Sequence, residues 1–161
     1  FSGVYASFER FLPEYMQLLR KEVSSKTKFL IMQTWAYQGN SEHASFSIYN
    51  YDQKAMYKAV TKCYLKVFKD KRYGFYALVP NGTAIQNGRT YFGDTLTRDG
   101  FHLDKRVGRY LGACTMCEVL LGKSVVGNSY HPATITKEEA LAAQKAAHAA
   151  VLKPNKVTKI K

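Results

Sequence analysis

Asp99-Gly100-Phe101-His102 sets a carboxylate three residues before an imidazole, just ahead of the best-patterned helix in the chain. On a loop, an Asp at this spacing accepts the Nδ1 proton of the His, fixes its tautomer and stabilises the imidazolium. Nε2 is then free to deprotonate a hydroxyl. Asp99 and His102 are therefore the candidate catalytic pair, a general base with its orienting acid, and the nucleophile must come from elsewhere. Such a spacing also arises by chance, so its surroundings have to carry the assignment.

Other reactive side chains offer less. Cys63, Cys114 and Cys117 make an odd count. Cys114 and Cys117 form a C-x-x-C inside a helical apolar stripe, with no second Cys or His pair at zinc-finger spacing, and read as core thiols. His131 and His148 have no metal-ligand partner, so neither a metal nor another cofactor is expected. His43 reads as a surface polar residue.

The 161 residues are 46% apolar and 14% aromatic, enough for one domain with a core. No apolar run reaches the length of about 20 residues that crosses a bilayer, and the N-terminus lacks the basic-then-apolar pattern of a signal peptide. The chain opens on Phe1 and not Met, so an upstream portion is expected. Net charge is +12 and is spread along the chain, with six Lys against Glu138 and Glu139 from Lys137 onward. A basic surface favours anionic partners. No RNA-recognition, zinc-finger or helix-turn-helix signature accompanies it, so no nucleic-acid partner is expected.

Phe8, Phe11, Leu12, Tyr15, Leu18, Leu19 and Val23 recur at helical steps, and Pro13 reads as the first turn of the main helix. Lys28 to Gln33 is a short apolar run suited to a strand covered on both faces. Thr34 to Tyr49 reads as a long loop leaving its carboxyl end. Asn50 and Gln53 form a capping-box-like start for a helix carrying Met56, Tyr57, Val60, Tyr64, Val67 and Phe68. Tyr73 to Val79 reads as a second strand, stopped at Pro80-Asn81-Gly82, and Thr83 to Thr90 as one or two helical turns. After the Asp99 loop, Asp104 caps a helix ended by Gly122. A last helix, Lys137 to Leu152, is capped by Thr136 with Glu139; its thin stripe predicts a peripheral appendage followed by a solvated Lys-rich tail.

The order helix, strand, helix, strand, helix predicts an α/β domain with parallel strands. Two strands fall short of the usual sheet, so the rest is expected before Phe1 or from another chain. In such sheets the loops at the strands' carboxyl ends gather the ligand groups. Trp35, Tyr37 and His43 come from the first loop, Gln86 and Arg89 from the second, and Asp99 and His102 from the third. Trp35 and Tyr37 either stack on a sugar ring or pack under their loop. Gln86 and Arg89 either bind substrate hydroxyls or a carboxylate, or Arg89 forms an ion pair with Asp94 or Asp99.

Several blocks match a known pattern in order: Thr34-Trp35-Ala36-Tyr37-Gln38; Tyr51-Asp52-Gln53 with Met56-Tyr57; Pro80-Asn81-Gly82-Thr83-Ala84-Ile85-Gln86 with Arg89; and Arg98-Asp99-Gly100-Phe101-His102-Leu103 leading to Gly108-Arg109-Tyr110. On these the chain resembles the second half of an SGNH (GDSL-like) hydrolase, in particular a bacterial subgroup defined only as a domain of unknown function. The resemblance implies a three-layer, flavodoxin-like parallel sheet with helices on both faces, incomplete here. Residues 1–127 would be the C-terminal portion of that domain and 128–161 the peripheral helix and tail. It also implies a serine esterase in which His102 is the base and Asp99 its partner. The serine block and the blocks that form the oxyanion hole match nothing here; none of Ser2, Ser7, Ser24 or Ser25 sits in a Gly-Asp-Ser-like setting.

The leading expectation is part of an esterase that deacylates a carbohydrate ester, with a small-molecule or glycan ester as substrate and no activity in this chain alone. The alternative is a non-catalytic carbohydrate-binding module on the same scaffold, and a basic nucleic-acid-binding domain is the weakest reading. The likeness further implies a bacterial protein that is periplasmic or secreted.

Overall fold

The computed structural model describes residues 2–161 and is a mixed helix and sheet structure. Helix α1 spans Tyr5–Glu22, strand β1 Leu30–Met32, and a short 3-10 helix Ala44–Tyr49. Helix α2 (Gln53–Lys69), strand β2 (Ala77–Val79) and helices α3 (Asn81–Phe92), α4 (Val107–Leu121) and α5 (Lys137–Leu152) complete the order. The two strands pair in parallel, Leu30 beside Ala77 and Met32 beside Val79. Both strands are shorter than their apolar runs predicted.

Two apolar clusters organise the helices. Phe8, Leu12, Met16 and Leu19 of α1 meet Val60, Tyr64 and Val67 of α2 together with Phe46 and Ile31. Ala84 and Ile85 of α3 meet Leu111 and Cys114 of α4 and the alanine face of α5. α1 differs from the expectation at Pro13, which lies inside an unbroken helix. An interior proline normally costs about 3 kcal/mol, and here packed side chains on both sides of it hold the helix through that position. Phe11, Tyr15 and Leu18 from the same stripe stay exposed, so only part of the apolar face is covered.

α2 is capped two residues after the expected position. Asp52 is its cap, accepting from the Lys54 and Ala55 N–H groups at 2.7 and 3.0 Å, while Asn50 ends the 3-10 helix in a left-handed conformation. Those backbone donors hold the Asp52 carboxyl below its ordinary range. Asp104 does support the start of α4, accepting from Arg106 and Gly108 N–H at 2.8 and 2.7 Å.

α3 and α5 depart furthest from the sequence reading. α3 is a full twelve-residue helix, and its residues 81–85 and 87–89 are buried. α5 has the predicted bounds and capping box, yet Ala143, Ala146, Ala147 and Ala150 are fully buried against α3 and α4. Small side chains made the stripe look thin because they let helices approach closely. The tail also docks: Thr158 and Ile160 donate N–H to Asn87 Oδ1 and Thr90 Oγ1 of α3 at 2.7 and 2.9 Å.

Candidate active site

Residues 96–104 form a narrow hairpin-like loop between α3 and α4. Its sides are joined by Asp104 N–H to Leu96 O at 3.0 Å, an antiparallel bridge of Thr97 with Leu103, and Arg98 N–H to His102 O at 2.9 Å. Asp99 to His102 is the tip. Gly100 adopts φ +85°, and a Cβ there would lie 3.2 Å from the Ser41 Cα, so the turn needs glycine.

At the tip Asp99 makes three hydrogen bonds to the next residues. Oδ1 accepts from the backbone N–H of His102 at 2.8 Å and of Phe101 at 3.3 Å, and Oδ2 accepts from His102 Nδ1 at 2.7 Å. An ionised carboxylate only accepts, so the ring proton sits on Nδ1 and the Nε2 lone pair is left free. Local burial pushes the Asp99 carboxyl up, but the His102 ring and the two N–H groups more than reverse this and hold it well below the usual carboxylate range. The His102 side chain is 55% exposed, so Nε2 is reachable from solvent.

The loop after β1 clamps this hairpin. Trp35 Nε1 donates to Phe101 O at 2.7 Å, Gln38 N–H to Gly100 O at 2.8 Å, and Thr97 Oγ1 to Gln38 Oε1 at 2.7 Å. A ring ladder runs from Tyr37 through His43 to Phe101 and His102, with successive centroids 4.8, 4.7 and 4.2 Å apart. Trp35, Tyr37 and Phe101, with Thr34, Ser45 and Tyr49, line a cavity of about 170 Å³. The structure thus brings Trp35 and Tyr37 to the back of the Asp99 and His102 turn.

Gln86 and Arg89 lie under the same loop and outside the cavity wall. Arg89 is buried; Nε is 2.8 Å from Asp94 Oδ1, while Nη2 donates to Ala36 O at 2.9 Å and Nη1 to Gln86 Oε1 at 3.1 Å. Gln53 joins in, giving its amide protons to Asp94 and to Tyr37 O. Burial lowers the guanidinium's affinity for its proton and Asp94 opposes the effect. The network spends Arg89's polar groups on the scaffold.

His43 is no isolated surface residue. Its Nδ1 accepts the Ser45 N–H at 3.2 Å and contacts Ser45 Oγ at 2.8 Å, which in turn is 3.1 Å from the Tyr37 hydroxyl. Ser45 escaped the sequence reading, with the His-x-Ser spacing of 43 and 45 as the available signal, and Phe101 stood in the Asp99 to His102 motif without a role assigned to it. Elsewhere, Cys114 is buried, which pushes its thiol up to about 11, while Cys117 is half-buried. His148 Nδ1 meets the buried Glu118 at 2.7 Å. Among the described residues no group of three His, Cys, Asp or Glu is placed to hold a metal ion, and no helix is long and apolar enough to cross a membrane.

These features define a mixed α/β domain with a turn-borne carboxylate–imidazole pair beside an aromatic cavity. The chain belongs to the DUF4886 family, a domain of unknown function whose model matches residues 1–150. It is similar to a DUF4886 family protein from Bacteroides uniformis ATCC 8492, known from a crystal structure at 1.50 Å resolution. The two are 42% identical, with a TM-score of 0.93 over 98% of this chain and 61% of that one. The chain therefore spans about three-fifths of that protein's length. No curated protein matches it.

Proposed function

We propose that this chain carries the acid–base half of an SGNH-type serine esterase that deacylates a carbohydrate ester, on a sheet completed to three layers by polypeptide outside residues 1–161. The reading rests on one contact, the 2.7 Å approach of Asp99 Oδ2 to His102 Nδ1 at an exposed turn. His102 Nε2 would take the proton of a serine hydroxyl as its oxygen attacks the ester carbonyl, and the Asp99 carboxylate would offset the imidazolium charge. The same proton would pass to the departing sugar oxygen, and water would release the acid by the reverse sequence. In protein that includes the serine segment, His102→Ala should lower aryl acetate hydrolysis by about 10³-fold or more. Unchanged turnover would remove the reading.

Binding without chemistry is favoured by a different observation, the aromatic cavity formed by Trp35, Tyr37 and Phe101. A carbohydrate-binding module on this scaffold would retain glycan binding and show no turnover that depends on His102.

A further inference from the structure

The His43, Ser45 and Tyr37 relay fixes which way the cavity's hydroxyls point. A backbone N–H can only donate, so the Ser45 N–H requires an unprotonated Nδ1 on His43. Ser45 Oγ, 2.8 Å from that nitrogen, then directs its own proton to it. With that proton committed, the 3.1 Å contact between Tyr37 and Ser45 has Tyr37 as donor. Both oxygens are left with lone pairs only. Where they line the cavity, Ser45 and Tyr37 can accept a hydrogen bond and cannot give one.

We infer that this cavity is a subsite for one neutral sugar ring, held by its hydroxyl protons on Ser45 and Tyr37 and by its apolar face on the Trp35 and Phe101 rings. The inference rests on the carbohydrate reading above and specifies where and how the ring binds. The Ser45 and Tyr37 oxygens pair with O–H donors and offer no proton to an acyl carbonyl or a carboxylate. Charge agrees with this. The chain has 24 Lys and Arg residues, yet none of the eight described residues lining the cavity is charged, so an acidic sugar finds no cation there. A volume of about 170 Å³ is of the size of one ring. The ring stacks where aromatic faces and polar edges meet.

Trp35 is the single tryptophan of the chain, so its emission reads this wall directly. Titration with methyl glycosides of neutral hexoses and pentoses should give a saturable change with at least one of them below about 100 mM, whereas acetate and the methyl glycoside of glucuronic acid should give none. Ser45→Ala should weaken that binding by about three- to tenfold, the worth of one hydrogen bond. It leaves the backbone N–H on His43 in place, so the turn is kept; Tyr37→Phe serves as the second variant. No saturation by any neutral glycoside, equal binding of the glucuronide, or unchanged binding by both variants would overturn the subsite. His102→Ala should bind the glycoside normally. Failure of the unaltered protein to bind any neutral glycoside, with His102-dependent ester turnover intact, therefore rejects the subsite alone, and sugar binding with turnover that does not depend on His102 rejects the esterase alone.

Discussion

Trp35 and Phe101, 66 residues apart, are joined by an indole N–H donated to a backbone carbonyl at 2.7 Å. The bond ties the loop after β1 to the tip that carries His102, and no other side chain in the chain offers an indole donor. Trp35→Phe keeps a ring in the cavity and removes the donor. We expect a loss of about 1–2 kcal/mol in denaturant unfolding, because the Phe101 carbonyl loses its partner. Amide exchange at 99–102 should speed up, and unchanged exchange there would show that the clamp does not hold the tip.

Asp99 should titrate well below the ordinary Asp value of about 3.9, read by the carboxyl carbon shift in NMR. A carboxyl whose value is depressed on folding stabilises the native state above its unfolded value, and that contribution drains away only as pH falls through the depressed folded one. Asp99→Asn should therefore flatten the acid limb of the stability curve below about pH 4. The amide would also misdirect the ring proton. If the esterase reading holds, turnover in protein that includes the serine should fall by about 10²- to 10⁴-fold.

The parallel strand pair, α4 and the capping box of α5 were legible because each carries a local signal: a β-rich run, an apolar stripe ended by glycine, and Thr136 with Glu139. The Asp99 and His102 contact was equally local, since three residues on a turn suffice to close it. What stayed hidden depends on distant partners. α3 carries Gly82 and Gly88, weak helix formers that are needed where Thr34 and Leu111 press against the backbone. α5 shows few large apolar residues since its alanines meet α3 and α4 closely. Gln53 looked like half of a capping box because its tie to Asp94, 41 residues on, has no sequence mark.

Gly82 supplies a direct test of the α3 packing. A Cβ at this position would collide with the Thr34 carbonyl oxygen and come within 3.0 Å of the Gln33 side chain, which is itself fully buried. Gly82→Ala should destabilise by about 2–4 kcal/mol, despite the gain in helix propensity. At Gly122, φ is +63° with nothing near a Cβ, so Gly122→Ala should cost only about 1 kcal/mol of backbone strain. Equal losses in chemical denaturation would contradict the close approach of α3 to the β1 loop.

Arg89 separates a scaffold role from a substrate role. Its buried guanidinium spans Asp94, Ala36 O and Gln86, and Asp94 in turn accepts the Gly39 N–H at 2.7 Å, so one side chain fastens α3 to the loop that carries Trp35 and Tyr37. Arg89→Met fills similar space and leaves the Ala36 carbonyl unpaired and the carboxylate without its cation. The expected loss is about 2–4 kcal/mol in unfolding. Binding of a neutral methyl glycoside, followed through Trp35 emission on the folded fraction, should weaken only as far as the loop loosens. A variant of wild-type stability that no longer binds would place the guanidinium on the ligand instead.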